Sequence, residues 1–248
     1  MKDITLQWFG KKPHVRDQFR LFCFPYAGGG GGFYKNWPSH LGDDVSVYPV
    51  ILPGRERRFS ESPYVSLESL IDDFMEVIKP YLDKPFAFFG HSMGALIAFE
   101  VTKRIEQHTS YKPNHLFISA KAAPHIETSK QHKHLLSNSS LIEELRKVNG
   151  TDAVILENKE LMDVMLPVIR ADFQLLETYR YNPGYLINTP MTVFGGMNDE
   201  EVNHNELVEW VALSRHKHFQ LNLFRGDHFF IQENVLDIIK IFSLNLSQ

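Results

Sequence analysis

The stretch PFAFFGHSMGALIAFE, beginning at Pro85, constrains the fold of this chain more than any other. An apolar run is followed by a turn from Gly90 to Gly94 and then by a segment rich in Ala and Leu. This order is typical of a buried strand, a tight turn and a buried helix. Glycines on both sides of Ser92 are required where a strained turn leaves no room for side chains beside the neighbouring backbone. We therefore predict a strand, turn and helix that expose the Ser92 hydroxyl as a nucleophile.

Similar apolar runs recur along the chain and alternate with helical patterns. The clearest helix is SLESLIDDFMEVIKPYL, in which apolar residues recur at spacings of three and four after Ser66, a natural N-cap. Strands that alternate with helices predict an α/β fold with a mostly parallel central sheet flanked by helices. The six predicted strands are QFRLFCFPY, VSVYPVIL, KPFAFFG, NHLFISA, PMTVFGG and HFQLNLFRG.

The alternation breaks between about residues 122 and 189. The segments SNSSLIEELRKVNG and ENKELMDVMLPVIRADFQLLETY predict helices there, between two strands of the sheet. We therefore expect a helical lid inserted over one edge of the sheet. The remaining elements fit a single domain over residues 1–248, a length that one α/β domain can reach.

Composition excludes several classes of partner. The formal net charge of -4 provides no basic surplus for nucleic acid. No segment approaches the roughly 20 apolar residues of a membrane span, and the start of the chain has no secretory pattern. The single cysteine, Cys23, lies in an apolar run and is predicted to be a buried thiol. We expect a cytoplasmic monomer that binds neither nucleic acid nor a membrane.

A run of five glycines, Gly28–Gly32, follows the first predicted strand. It does not match the dinucleotide motif G-x-G-x-x-G, because the last position falls on Phe33, Tyr34 or Lys35. It does not match the phosphate-binding motif that ends in G-K-S/T either, because Lys35 follows Tyr34 and precedes Asn36. The run is a flexible turn or a place where a ligand approaches bare backbone.

A nucleophilic serine needs a histidine base and a carboxylate that fixes the tautomer of that histidine. After a strand–turn–helix nucleophile, the acid and then the base follow in chain order, each in a loop at the carboxyl end of a later strand. Asp199 follows the strand PMTVFGG, and His228 lies between the last strand and the last helix. We predict a triad of Ser92, Asp199 and His228, and we interpret Asp172 in the lid as structural or substrate-facing.

Acyl transfer through a serine creates a negative oxygen that backbone N–H groups must stabilise. Met93, directly after the nucleophile, is the predicted first donor. The second donor comes from the loop after an early strand, and we predict Ala27 there. The glycine run then serves to bring backbone close to this oxyanion.

The remaining histidines are predicted to have no catalytic role. His132 and His134 have the spacing of a metal pair, but the sequence around them offers no cysteine or carboxylate cluster. We therefore predict no metal ligand and no cofactor. The other histidines expected to be solvated or locally hydrogen-bonded are His125, His204, His216 and His218.

Taken over nearly the whole chain, the sequence resembles the type II thioesterases, stand-alone α/β-hydrolases that accompany nonribosomal peptide and polyketide synthetases. The segments that carry the resemblance are LFCFPYAGGG, VILPGRERRFSE, PFAFFGHSMGALIAFE, LPVIRADFQLLETYRY, TVFGGMNDE and FRGDHFFI. The resemblance implies an α/β-hydrolase that removes acyl groups from the phosphopantetheine arm of carrier proteins, with phosphopantetheine present only as part of the substrate. It also implies the same five roles for Ser92, Asp199, His228, Ala27 and Met93. The glycine run is longer than is usual in the family, and Arg225 stands where a second glycine often precedes the histidine loop.

Two further segments are candidates for substrate binding. Arg55, Arg57 and Arg58 are candidates for contact with the pantetheine phosphate or an acidic carrier, because arginine pairs well with phosphate. The alternative is an exposed loop in which these charges are solvated or paired with Glu56 and Glu61. Met165 is a candidate for lining an acyl channel, or a core residue, as are its neighbours Leu161, Met162 and Leu166.

Other functions stay open at this level. Fold and triad do not select the acyl group or the leaving group, so a medium-chain acyl carrier thioesterase, a carboxylesterase and an acyltransferase remain alternatives. A noncatalytic module that binds carrier proteins is the alternative outside enzymes, although an intact triad argues against it.

Overall fold

The computed structural model describes residues 4–126 and 132–246, and its centre is a six-stranded sheet. The strands are β1 (Phe19–Phe24), β2 (Val45–Pro49), β3 (Phe86–His91), β4 (His115–Ser119), β5 (Met191–Gly196) and β6 (Phe219–Phe224). All neighbouring strands are parallel, in the order β2-β1-β3-β4-β5-β6. Each strand coincides with a predicted apolar run, except that β3 extends one residue further, to His91, so the predicted parallel sheet is confirmed.

Helices cover both faces of this sheet. They are α1 (Ile4–Phe9), α2 (Pro38–Leu41), α3 (Leu67–Ile78), α4 (Met93–His108), α5 (Asn138–Lys147), α6 (Ala153–Glu157), α7 (Lys159–Thr178), α8 (His204–Val208) and α9 (Val235–Leu246). Phe22 and Phe24 of β1 pack in one apolar cluster with α3, α4 and α8. Leu21 and Cys23 of the same strand pack in a second cluster with α9. Alternate residues of β1 thus point to opposite, equally buried faces.

The sheet has a switch point between β1 and β3. Strand β2 pairs with one edge of β1, and the chain then crosses over so that β3 pairs with the other edge of β1. Loops that leave β1 and β3 therefore diverge, and a crevice opens at the carboxyl ends of these strands. Phe24 is in register with Gly90, so the glycine run and the serine turn begin at the same level of the sheet.

The N-cap and the apolar face predicted for α3 are confirmed, but the helix ends earlier than predicted. The Ser66 side chain accepts a hydrogen bond from the Ser69 N–H, and the predicted apolar face of the helix is buried. The α-helix ends at Ile78, because Pro80 has no N–H to continue it and instead lies in a 3₁₀ turn. No described helix is long and apolar enough to cross a bilayer.

The segment between β4 and β5 contains α5 and α7, as the helical patterns predicted, and the short helix α6 between them, which was not predicted. Apolar side chains of these three helices form a third buried cluster of their own. Helix α7 is 20 residues long and contains Pro167 in its interior. That this lid and the sheet form a single domain stays a prediction.

Candidate active site

The turn after β3 is held by backbone contacts. Ser92 has φ 53° and ψ −113°, a strained conformation for a residue with a side chain. A Cβ on Gly90 would lie 2.0 Å from the carbonyl oxygen of Gly94, and a Cβ on Gly94 would lie 2.3 Å from the carbonyl oxygen of Phe24. The Ser92 N–H donates to the Ser119 carbonyl of β4 over 2.8 Å. The steric reason predicted for both glycines is confirmed, and Ser92 lies where β3 meets α4.

His91, directly before the serine, is fully buried. Its Nδ1 lies 2.9 Å from the Ser119 hydroxyl, and its ring centroid is 5.3 Å from that of His228. Burial, and secondarily the nearby His228, lower the pKa of His91 well below its ordinary value. His91 is therefore neutral at pH 7 and does not compete with His228 for a proton.

Asp199 and His228 meet at the ends of β5 and β6. The Nδ1 of His228 lies 2.9 Å from Oδ2 of Asp199, whose side chain is only 1% exposed. The other carboxylate oxygen of Asp199 accepts the N–H groups of Glu201 and Val202. Because a carboxylate only accepts hydrogen bonds, Nδ1 of His228 is the donor and Nε2 keeps its lone pair. The arrangement prepares His228 to accept a proton through Nε2.

Close packing of the two loops brings these residues together. A Cβ on Gly196, the last residue of β5, would lie 2.3 Å from the Asp227 carbonyl oxygen. The Asn198 N–H donates to the Gly226 carbonyl over 2.9 Å. Gly226 itself has φ +122°, a conformation that side chains rarely adopt. Glycines on both loops are therefore needed for His228 to reach Asp199.

The glycine run after β1 is fastened by side chains from distant segments. The Gly28 N–H donates to Oδ2 of Asp172 over 2.8 Å, and Nη1 of Arg55 donates to the Gly29 carbonyl over 2.8 Å. The Gly32 N–H donates to Oε1 of Glu56 over 3.2 Å. Ala27 lies directly before the first of these bonds, at the crevice edge. The run is an anchored loop, not a freely flexible turn.

Arg55 and Asp172 form a buried ion pair. The Nη2 of Arg55 lies 2.8 Å from Oδ1 of Asp172, and the side chains are 9% and 3% exposed. One carboxylate thus binds Arg55 through one oxygen and the Gly28 N–H through the other. Both carboxylate oxygens of Asp172 are therefore bound within the protein, which agrees with the structural of its two interpretations. The sequence did not indicate that it fastens the glycine run to the lid.

Contact of Arg55 and Arg58 with a phosphate or an acidic carrier stays a prediction, and the structure shows that both guanidinium groups already have partners within the protein. Arg58 is buried, donates to Glu61 and to the Ile51 carbonyl, and lies 4.3 Å over the Trp8 ring. Arg55 borders the crevice, but its guanidinium group is bound to Asp172 and Gly29. The alternative of an exposed loop holds in part. Arg58 pairs with Glu61 and Arg57 is exposed, but Arg55 and Arg58 are buried.

Two clefts flank the glycine run. The larger has a volume of about 420 Å³ and lies between the glycine run, the segment around Arg55 and helix α7. The smaller, of about 140 Å³, is lined by Ala27 and by residues near α5 and α6. Tyr26, Gly28 and Met165 line both clefts. Of the predicted channel residues, Met165 borders the clefts, Met162 and Leu166 are core, and Leu161 is 46% exposed.

The fold defines an α/β-hydrolase, with Ser92 in the turn between β3 and α4. A family-wide sequence profile described as "Thioesterase domain" matches residues 19–243. The chain belongs to the thioesterase family, and its similarities identify it as a type II thioesterase.

Those similarities extend over nearly the whole chain. GrsT, a gramicidin S biosynthesis protein of Aneurinibacillus migulanus, is 40% identical over 223 residues, which cover 90% of this chain and 87% of GrsT. The type II thioesterase BorB from the borrelidin biosynthetic cluster is 33% identical with a TM-score of 0.88, and the alignment covers 96% of this chain and 97% of BorB. RedJ, a thioesterase of the prodiginine pathway in Streptomyces coelicolor, is 32% identical with a TM-score of 0.87, covering 95% of this chain and 88% of RedJ. The activity of this chain is thioester hydrolysis in biosynthesis.

Proposed function

We propose that this chain hydrolyses acyl thioesters on the phosphopantetheine arm of carrier proteins, and that Ser92, Asp199 and His228 are its catalytic triad. The observation that carries the proposal is the 2.9 Å contact between His228 Nδ1 and the buried Asp199 carboxylate. The His228 ring lies 5.3 Å from the ring of His91, the residue directly before Ser92. The similarity to BorB and RedJ supports the substrate class, because BorB is a type II thioesterase of the borrelidin biosynthetic cluster and RedJ a thioesterase of the prodiginine pathway.

In the proposed reaction, Nε2 of His228 takes the proton of the Ser92 hydroxyl as Oγ attacks the thioester carbon. The C–S bond then breaks, and the same proton goes to the leaving pantetheine sulfur. Water, deprotonated by His228, attacks the acyl serine and releases the acid together with the free Ser92 hydroxyl. Every proton is handled by protein groups, and no metal or cofactor takes part.

The N–H groups of Ala27 and Met93 stabilise the oxyanion in this proposal. Met93 begins α4, where helical N–H groups point towards the turn and have no partner within the helix. Ala27 lies one residue before Gly28, whose N–H is held by Asp172. Donors fixed before the reaction stabilise developing charge without reorganisation, and loss of one costs about 10²- to 10³-fold in rate.

The larger cleft is the proposed acyl site. Its volume of about 420 Å³ is within the range of ligand pockets, and Met165, Val164 and Phe33 line it with apolar groups. All five proposed catalytic residues belong to one chain, so a monomer is expected to be active.

The test compares one short acyl group presented on holo carrier protein, on coenzyme A and as an oxygen ester. Wild type is expected to hydrolyse the carrier thioester fastest. Ser92→Ala should lose activity by about 10⁴-fold or more, whereas Ser39→Ala, at an exposed serine, should match wild type. A fluorophosphonate probe should label wild type and Ser39→Ala but not Ser92→Ala.

Each arm tests a separate part of the proposal. Preference for the oxygen ester would refute the substrate class, and full activity in Ser92→Ala would refute the mechanism. Binding of carrier protein without turnover by wild type would favour the noncatalytic alternative.

A further inference from the structure

The tripeptide His-Lys-His occurs twice in this chain, at residues 132–134 and 216–218. Two histidines alone make a weak metal site, and the sequence near the first pair offers no third ligand. The fold supplies one. Helix α7 places the Glu177 carboxylate against the first pair, 43 residues further along the chain.

The Glu177 carboxylate is held in place by the backbone of the same tripeptide. Its Oε1 accepts the Lys133 N–H over 2.6 Å, and its Oε2 accepts the His134 N–H over 3.2 Å. The Oε2 atom also contacts Nδ1 of His134. Arg170, on the same helix, donates to the carbonyl groups of His134 and Leu136 over 2.6 and 2.7 Å. Both ligand-bearing segments are thus oriented by surrounding hydrogen bonds, as in protein metal sites.

The ligand atoms of His132, His134 and Glu177 lie within 4.8 Å of one another. Over residues 4–126 and 132–246, this is the one cluster of at least three His, Cys, Asp or Glu side chains with that property. Tetrahedral zinc, bound at about 2.0–2.2 Å, needs ligand atoms about 3.3–3.5 Å apart. His132 is exposed, and its ring can rotate to close the difference. The nearby Lys133 ammonium is turned away, towards Glu144 and Glu201.

We propose that His132, His134 and Glu177 bind a zinc ion that fastens residues 132–135 to the end of α7. Two imidazoles and a carboxylate are a common zinc ligand set, and solvent provides the fourth ligand. The ion would lie between Nδ1 of His134 and Oε2 of Glu177, which move apart to admit it, and a histidine that binds zinc through Nδ1 carries its ring proton on Nε2. Glu177 lies five residues after Asp172, about 7.5 Å along α7, so the ion would also hold the part of this helix that contains Asp172. It would overturn the prediction that this chain has no metal ligand.

The second tripeptide is a natural control. Nδ1 of His216 accepts the His218 N–H over 3.0 Å, so this nitrogen is already used within its own turn. Neither His216 nor His218 belongs to a ligand cluster among the described residues. We therefore expect the second His-Lys-His tripeptide to bind zinc more weakly than the first, although the two sequences are identical.

The experiment measures Zn²⁺ binding to untagged protein by equilibrium dialysis, with thermal unfolding alongside. We expect one ion per chain and a rise in Tm with Zn²⁺, because an ion that binds only the folded state stabilises it. His132→Ala and Glu177→Gln should each weaken binding by at least about tenfold and remove the rise in Tm. His216→Ala should leave both unchanged.

His132→Ala keeps the test decisive, because this exposed ring can be removed without opening the core. Its metal-free Tm should equal that of wild type. Absence of saturable binding by wild type would overturn the proposal. So would unchanged affinity in His132→Ala, or an equal loss in His216→Ala.

Discussion

Two loops at the same edge of the sheet are held in opposite ways. The turn at Ser92 is fixed by backbone, since Gly90 and Gly94 leave no space for a Cβ. The glycine run 28–32 is fixed by the side chains of Arg55, Glu56 and Asp172, which come from other segments. Each loop supplies one proposed oxyanion donor. The comparison teaches that one donor is set by local sterics and the other by a buried charge carried on the lid.

The largest expected effect comes from breaking the turn itself. In Gly94→Ala the new Cβ would lie 2.3 Å from the Phe24 carbonyl oxygen, so the serine and the Met93 N–H must both move. We expect kcat/KM to fall about 10⁴-fold, from about 10² for a misplaced nucleophile and about 10² for a lost donor. Thioester hydrolysis, with circular dichroism to verify folding, is the measurement. Activity within about tenfold of wild type in a folded variant would refute the steric argument.

The second effect tests the glycine run through Asp172. Asp172→Asn removes the charge that holds both Arg55 and the Gly28 N–H. We expect kcat to fall about 100-fold with little change in KM, because the affected donor acts mainly in the transition state. Asp163→Asn, at an exposed position of the same helix, is the matched control and should match wild type. A change confined to KM would mean that Asp172 binds substrate instead.

The third prediction concerns how much the ion pair between Arg55 and Asp172 contributes to the free energy of unfolding. Arg55→Ala and Asp172→Ala should each destabilise the fold by about 3–5 kcal/mol, since each leaves a buried charge unpaired. The double variant should lose less than the sum, with a coupling of about 1–3 kcal/mol in urea unfolding. Strict additivity would show that the two groups do not interact.

A fall in pH should destabilise the turn at Ser92 but not the glycine run, because the turn contains His91 and the glycine run contains no histidine. Burial lowers the pKa of His91, so the unfolded chain binds the proton first as pH falls below about 6.5. Stability present above that pH is then lost, by about 1.4 kcal/mol per pH unit. His115, whose pKa burial lowers to about 3, adds a similar slope.

Urea unfolding at pH 7 and pH 5 checks this prediction. His91→Asn should make the loss between these pH values shallower, whereas His40→Asn, at an exposed position, should not. Equal slopes in wild type and His91→Asn would show that His91 is protonated in the folded state.

The smallest effect on activity is expected from substitution of Gly32, the last residue of the glycine run. A Cβ there would meet nothing within 4 Å. Gly32→Ala should stay within about twofold of wild type in kcat/KM. Gly28→Ala should be impaired, because Gly28 has φ +74° and its Cβ would lie 2.8 Å from Ile169. Equal behaviour of the two variants would show that the anchoring of the run is unimportant.

The same contrast explains what could be predicted from sequence. The strands and the serine turn follow from local patterns of apolar residues and glycine, and they were predicted correctly. The loops that bear Asp199 and His228 follow from chain order in a parallel sheet. Their catalytic roles, like those of Ala27 and Met93, stay predictions.

The pairings across the fold were not predicted. Arg55 and Asp172 are separated by 117 residues, and no local pattern indicates that they meet. For the same reason Glu177 was not associated with His134. Helix α1 was missed because six residues are too few for a periodic pattern to show.

Pro167 lies in the interior of the lid helix α7 and creates a point at which the helix can bend. Proline has no N–H for the carbonyl four residues earlier, at Asp163, so the helix lacks one internal hydrogen bond and bends most easily there. The part before it contains Val164 and Met165 at the larger cleft, and the part after it contains Val168, which also lines that cleft, and Asp172. A bend at Pro167 would therefore let Val164 and Met165 shift at the cleft while Asp172 keeps its hydrogen bond to the glycine run.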